Sequence, residues 1–205
     1  MRNRVLLATR NPGKVREFER LLSGLDIAVL GLGDAGITEE IEESGATFEQ
    51  NARLKAQGYA RLSGELTLAD DSGLEVDALG GKPGVKSARY GGPGLTDEQR
   101  VEKLLDELKN VRGWDRKARF RAVLALAGDG VPDGVVTTEG VVEGSVAHQP
   151  IGTGGFGYDP VFWIPSIANT TASLTGEQKD RLSHRGAAVR KMVPYIAEAL
   201  KLRHE

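Results

Sequence analysis

Residues 68–77 read Leu-Ala-Asp-Asp-Ser-Gly-Leu-Glu-Val-Asp (LADDSGLEVD) and set two adjacent aspartates directly behind an apolar, β-branched run, Leu66–Ala69. That run predicts a strand, Ser72-Gly73 permits a sharp turn, and Leu74, Val76 and Ala78 alternating with Glu75 and Asp77 predict a half-exposed strand beyond. On this reading Asp70 and Asp71 lie past the carboxyl end of a strand, where open α/β sheets bind ligands. Neighbouring carboxylates repel, so the pair is either a solvated turn or the seat of a cation.

N-terminal to this stretch, Val5–Ala8 predicts a short buried strand. Asn11-Pro12 then gives an N-cap with proline at the first helical position. Val15, Phe18 and Leu22 recur at helical spacing up to Gly24, and Ile27–Leu32 predicts another strand. After the acidic run Glu39-Glu40-Ile41-Glu42-Glu43, Thr47 and Gln50 have capping-box spacing and open a helix with Phe48, Ala52, Ala56 and Tyr59 on one face. C-terminal to the stretch, Gly80–Gly94 predicts a long ordered loop, and Thr96 with Gln99 caps a helix through Val101, Leu104, Leu105 and Leu108. Phe120, Ala122, Leu124 and Leu126 alternate as in a strand. Val135–Ala147 predicts a strand, or a pair broken at Gly140 and Gly144, and Val161–Ile164 is short and apolar. A single helix is predicted from Gly176 to Leu202, capped by Thr175 and Gln178 and kinked or interrupted at Pro194. Strands alternating with helices, then consecutive strands, then a helix predict an α/β fold with a mixed sheet and no linker between independent domains.

The 205 residues are 40% hydrophobic and 27% charged, enough for a sizeable core. A net charge of −2 offers no electrostatic case for binding nucleic acid or a membrane. The 27 glycines, about twice ordinary usage, follow no repeat and leave tight turns or close backbone approach to a ligand. Cysteine is absent, which excludes disulfides, thiolate nucleophiles and cysteine zinc sites, and His148, His184 and His204 are too dispersed for a paired-histidine metal motif. The opening MRNRVLLATRNPGK becomes polar too soon for a signal peptide or a membrane span, so a cytoplasmic location is expected.

Three further segments bear on chemistry. ATRNPGKV (Ala8–Val15) falls between strand and helix, where backbone N–H groups and the helix dipole favour an anion. It departs from a Walker A loop at Ala8 and Val15. It reads either as a different phosphate grip, with Thr9 and Asn11 donating and Lys14 as point charge, or as a capped helix start with an exposed lysine. GTGGFG (Gly152–Gly157) matches a dinucleotide fingerprint in letters only, because Tyr158-Asp159-Pro160 follows where a helix should open. Phe156 among those glycines could stack on a planar ligand or pack locally. SHRG (Ser183–Gly186) falls inside the predicted helix with Lys179 on the same face, a pair of donors for carbonyl or phosphate oxygens or a solvated cationic face.

Taken in order, TRNPGK (Thr9–Lys14), ADDSGL (Ala69–Leu74), PGVKSARY (Pro83–Tyr90), GGFGYDP (Gly154–Pro160) and SHRG (Ser183–Gly186) resemble the non-canonical purine nucleoside triphosphate pyrophosphatases, also called inosine triphosphate pyrophosphatases, from about residue 4 to 202. The resemblance implies a single two-lobed α/β domain over residues 1–205, with an elongated mixed sheet, flanking helices and a cleft between lobes. It implies a likeness in activity too, magnesium-dependent hydrolysis of ITP, dITP and XTP to the monophosphate and pyrophosphate by a homodimer. It carries the triphosphate grip onto Thr9, Asn11 and Lys14, the catalytic and metal-binding carboxylate onto Asp71, and a substrate contact onto Ser72. A further metal ligand falls on Glu42 or Glu43. Phe156, Gly157, Tyr158 and Asp159 are implied near the base, and Lys179, His184 and Arg185 as other substrate contacts. Arg10 stands where relatives often have glycine. Two other functions fit the same residue pattern: a pyrophosphatase for modified pyrimidine nucleotides, separated by base preference, and a non-catalytic nucleotide sensor, separated by absence of product.

Overall fold

The computed structural model describes residues 3–201. Strands β1 (Asn3–Leu7), β2 (Ile27–Gly31), β3 (Thr67–Val76), β4 (Lys117–Ala127), β5 (Val135–Val146), β6 (Phe162–Ile164) and β7 (Asn169–Thr170) form a sheet in the order β2-β1-β3-β4-β5-β6-β7. β1 runs parallel to β2 and β3, whereas β6 is antiparallel to β5 and β7, so the sheet is mixed, as expected. The helices are α1 (Pro12–Leu21), α2 (Phe48–Ser63), α3 (Asp97–Glu107), α4 (Gly176–Leu182) and α5 (His184–Ala199). No helix among the described residues is long and apolar enough to cross a membrane.

Residues cluster into two compact units: the first is residues 1–71, 122–140 and 185–205, the second 72–121 and 141–184. In the first, Val5 and Leu7 of β1, Phe18 of α1, Leu68 of β3, Leu124 and Leu126 of β4, and Val189, Met192 and Ile196 of α5 share one buried core. Full burial of a side chain such as Phe18 is worth roughly 2–3 kcal/mol, which makes the spacing of Val15, Phe18 and Leu22 a fold-determining pattern. In the second, Leu74 and Val76 of β3 pack with Val101, Leu104 and Leu108 of α3, Phe120 of β4 and Phe162 of β6.

The predicted helix starts hold. The Asn11 side chain accepts from the N–H groups of Gly13 and Lys14 with Pro12 at the first helical position, and Thr96 and Thr175 each form a complete capping box. At Thr47 the box is altered: its hydroxyl accepts from Gln50 N–H, but the Gln50 side chain reaches back one residue further, to Ala46 N–H.

Two expectations are corrected, and one left open is decided. β3 does not end at the aspartates but runs unbroken through them and through Ser72-Gly73. Gly73 makes no turn. The 3-10 segment Gly84–Arg89 closes onto it, with Ser87 Oγ accepting from Leu74 N–H at 2.9 Å, so there is no room for a side chain. Of the two readings of residues 135–147 the single strand holds: β5 is unbroken, and Gly144 lets the Trp163 carbonyl of β6 approach. The C-terminal helix is interrupted at Ser183, which adopts an extended conformation between α4 and α5, while Pro194 lies within α5. The predicted end at Leu202, and His204, lie outside the described residues.

Candidate active site

In the first unit the alternation of β3 answers the question of the paired carboxylates. Successive strand residues point to opposite faces, so Asp70 and Asp71 are adjacent in sequence but are met by different elements. Asp70 is fully buried and faces α1 and α5: Lys14 Nζ is 2.7 Å from its Oδ2, and Arg185 donates to the same oxygen through Nε and Nη2 at 3.3 and 3.2 Å. Arg185 is held from its other side by a short charge-assisted bond to Glu17 of α1, itself buried. Burial alone would raise the Asp70 pKa, but the charges of Arg185 and Lys14 outweigh it and hold the carboxyl well below the usual carboxylate range. Lys14 responds inversely, lowered from ordinary lysine by burial despite Asp70.

Asp71 faces α2. Lys55 Nζ donates to Asp71 Oδ1 at 3.0 Å and to the Asp70 backbone carbonyl at 3.0 Å, and lies 2.9 Å from Glu43 Oε1. Asn51, one turn earlier and fully buried, donates to Asp71 Oδ2 at 3.2 Å while its own carbonyl accepts from Gly45 N–H at 2.8 Å. Burial raises the Asp71 pKa above the usual carboxylate value, opposed by Lys55 and reinforced by Glu43. Lys55 is also raised: burial works against its charge, and Asp71 and Glu43 more than compensate.

The β1–α1 turn is fixed beside this pair because Ala8 N–H donates to the Leu68 carbonyl of β3 at 2.8 Å. Thr9 Oγ1 accepts from Asn11 N–H at 3.2 Å, and Asn11 serves as the α1 cap. Thr9, Asn11, Lys14, Asp70, Asp71 and Arg185 thus come together in one unit. Of the two candidate glutamates, Glu43 is the one at Lys55, whereas Glu42 is exposed.

The carboxylates of Asp71 and Glu43 already converge on one cation, the Lys55 ammonium, and both are hard oxygen donors. Magnesium takes one or two protein carboxylates and completes its shell with water and phosphate oxygens. These residues fit such an ion. Among the described residues no set of three histidine, aspartate or glutamate side chains is grouped to hold a metal ion.

In the second unit Ser72 follows on β3, half-buried. The Gly152–Tyr158 loop is organised by Asp159. This buried carboxylate accepts from Phe156 N–H at 2.9 Å and from Lys179 Nζ at 2.6 Å through Oδ2, and from Thr171 Oγ1 at 2.9 Å through Oδ1. Lys179 Nζ also stands 4.8 Å from the Phe156 ring centroid, a cation–π contact. Tyr158 donates its hydroxyl to the Ser87 carbonyl at 3.0 Å, and its burial pushes the phenol pKa well up. His184 stacks on Phe120 with centroids 4.7 Å apart. Lys179 lies one turn before Ser183, the C-cap of α4, whose N–H donates to the Lys179 carbonyl at 2.8 Å.

Asn51, Lys55 and Glu17 are additional site members. Two of them carry a signal in the sequence: Asn51 and Lys55 are polar at i and i+4 on the same apolar face as Ala52, Ala56 and Tyr59. A charged residue on a buried helical face needs a buried partner.

The model of the Ham1 family matches residues 5–195. A dITP/XTP pyrophosphatase of Bacillus subtilis is 46% identical over 187 residues, covering 91% of this chain and 93% of that protein. Among solved structures, a HAM1 protein from Coxiella burnetii superposes with a TM-score of 0.84 at 39% identity, covering 96% of this chain and all of that one (100%). A nucleoside-triphosphatase / dITP/XTP pyrophosphatase from Mycobacterium abscessus gives 0.72 at 41% identity, covering 93% of this chain and 99% of that one.

Proposed function

This chain belongs to the Ham1 family, and from that footing we propose that it hydrolyses dITP, XTP and ITP to the nucleoside monophosphate and pyrophosphate, with magnesium. The observation that carries the reading is Asp71, a buried carboxylate fixed at both oxygens by Lys55 and Asn51 and raised in pKa. Raising the pKa makes the ionised carboxylate a stronger proton acceptor, which suits it to take a proton from water attacking the α-phosphorus. Asp71 and Glu43 would hold the magnesium ion, which when bound withdraws electron density from phosphate oxygens. Lys14, at the N-terminus of α1, places a positive charge and the helix dipole where the leaving pyrophosphate gathers negative charge. Its exchange of Asp70 for phosphate is eased because Arg185 keeps Asp70 compensated.

Phe156 is proposed to offer a ring face to the base. Discrimination from ATP rests on the 6-keto oxygen, an acceptor where adenine carries a donor. Leaving a buried donor unpaired against the wrong base can be worth on the order of 10⁴-fold. The homodimer implied by the resemblance is retained as part of this proposal, testable by light scattering.

The decisive experiment is product analysis with magnesium and, separately, ITP, dITP, XTP, ATP, GTP and dTTP. Pyrophosphate and monophosphate from the first three, with little from the others, are expected. A nucleoside diphosphate and inorganic phosphate would place attack at the γ-phosphorus. Turnover of modified pyrimidine nucleotides alone would favour the runner-up substrate class. Asp71→Asn should fold with an unchanged circular-dichroism spectrum and lose at least about 100-fold in kcat, the scale of removing one group that acts mainly in the transition state.

A further inference from the structure

The Gly152–Tyr158 loop is tied down mostly by buried groups: Asp159, the Ala172 carbonyl that accepts from Gly154 N–H at 3.0 Å, and the Tyr158 hydroxyl on Ser87. One tether differs in kind. Gly157 N–H donates to Asp97 Oδ2 at 2.9 Å, and Asp97 is the first residue of α3, sixty positions away in sequence, with half its side chain exposed (50%). Its other oxygen, Oδ1, is 3.2 Å from Arg100 Nη1, one turn along α3, so the carboxylate is oriented before it meets the loop. Gly157 has φ near +62°, a conformation that fixes where its N–H points and that other residues adopt at a cost. The peptide that Asp97 grips joins Phe156 to Gly157, so the grip sets the ring that Lys179 supports on one face.

We propose that Asp97 is a positioning residue for substrate selection: it holds the Phe156–Gly157 peptide so that the Phe156 ring is preset for a purine base. This rests on the proposed pyrophosphatase reading, and it goes beyond it in naming a residue outside the five motifs. Asp97 touches no reacting atom. Its loss leaves Asp71, Lys55 and Lys14 as they are, and so acts on substrate capture rather than on the chemical step.

Asp97 and the adjacent Glu98 both lie in the first turn of α3, where any acidic residue favours the helix dipole. Glu98→Ala is therefore the control for helix stability, and only Asp97→Ala removes the loop tether. Three quantities are measured on full-length protein: steady-state kinetics with dITP and XTP, the melting temperature, and amide hydrogen exchange at Gly157. Asp97→Ala should raise KM about ten-fold with kcat within about two-fold, and speed Gly157 exchange about ten-fold, the size of one charge-assisted hydrogen bond. Glu98→Ala should leave KM and that exchange at wild-type values. Asp97→Asn keeps an acceptor oxygen and should restore most of both effects.

Equal KM and equal Gly157 exchange in Asp97→Ala and wild type would overturn the proposal, as would a KM rise reproduced in full by Glu98→Ala. If the wild type turns over neither dITP nor XTP, the functional reading falls and with it the selection role. Gly157 exchange then still reports whether the tether exists, so the two failures are distinguishable.

Discussion

Asn51 illustrates how much one side chain can couple. Its amide donates to Asp71 and accepts from Gly45, so it joins the proposed catalytic carboxylate to the turn that follows Glu43. Asn51→Ala removes both bonds, leaving a peptide N–H near helix α2 without its acceptor and Asp71 with less restraint. A loss of about 1–3 kcal/mol in unfolding free energy is expected, the usual cost of orphaning a buried polar group. Chemical denaturation should show it. Turnover should fall more than KM rises, because the defect lies in the orientation of Asp71 and not in substrate capture. A rise in KM alone would argue that Asn51 only supports the fold.

Elements fix which residues meet. Gly73 lies inside β3, and a methyl group there would stand 2.5 Å from the Gly84 carbonyl oxygen and closer still to Ser87 Oγ. Gly73→Ala should therefore cost about 1–3 kcal/mol by overpacking, read as a lowered melting temperature, although its backbone conformation suits alanine. The sequence shows helix starts well because caps are local: Asn11, Thr96 and Thr175 each act within three residues. It shows β3 poorly for the converse reason. Two adjacent aspartates followed by Ser-Gly have every local mark of a turn, and only Lys14, Arg185 and Lys55, brought from three helices, make an unbroken strand affordable. Ser183 is a similar case: nothing local distinguishes it as the end of α4, and Pro194 was the more conspicuous breaker. The motifs that carry the candidate site were legible by order and composition. Asn51 and Lys55 were marked only as polar residues on a buried helical face, and Glu17 not at all, because their partners lie in other elements, up to 168 positions away for Glu17 and Arg185.

At the scale of the whole molecule, buried charge makes stability depend on pH. Asp70 has a pKa depressed in the folded state, so its ion pairs contribute stability in full above the unfolded value of about 4, and that contribution is lost as pH falls towards the folded value. Urea unfolding of wild type and Asp70→Asn should differ most at pH 5–7 and converge on acidification; a difference that is constant down to pH 2.5 would sink the assignment. A second consequence follows from how the chain is threaded. The first unit draws on residues 1–71, 122–140 and 185–205, and the boundary between units is crossed inside β3, β4 and β5 and after the first residue of α5. Its core includes Ala188, Val189, Met192 and Ile196 of the last helix. A polypeptide emerging from the ribosome N-terminus first cannot close that core until α5 has left the exit tunnel. Synthesis of this protein is therefore a race in which Phe18 and Leu22 wait, exposed, for partners made long after them. A stop codon before Ala188 would release a chain whose first-made half has no completed core to join.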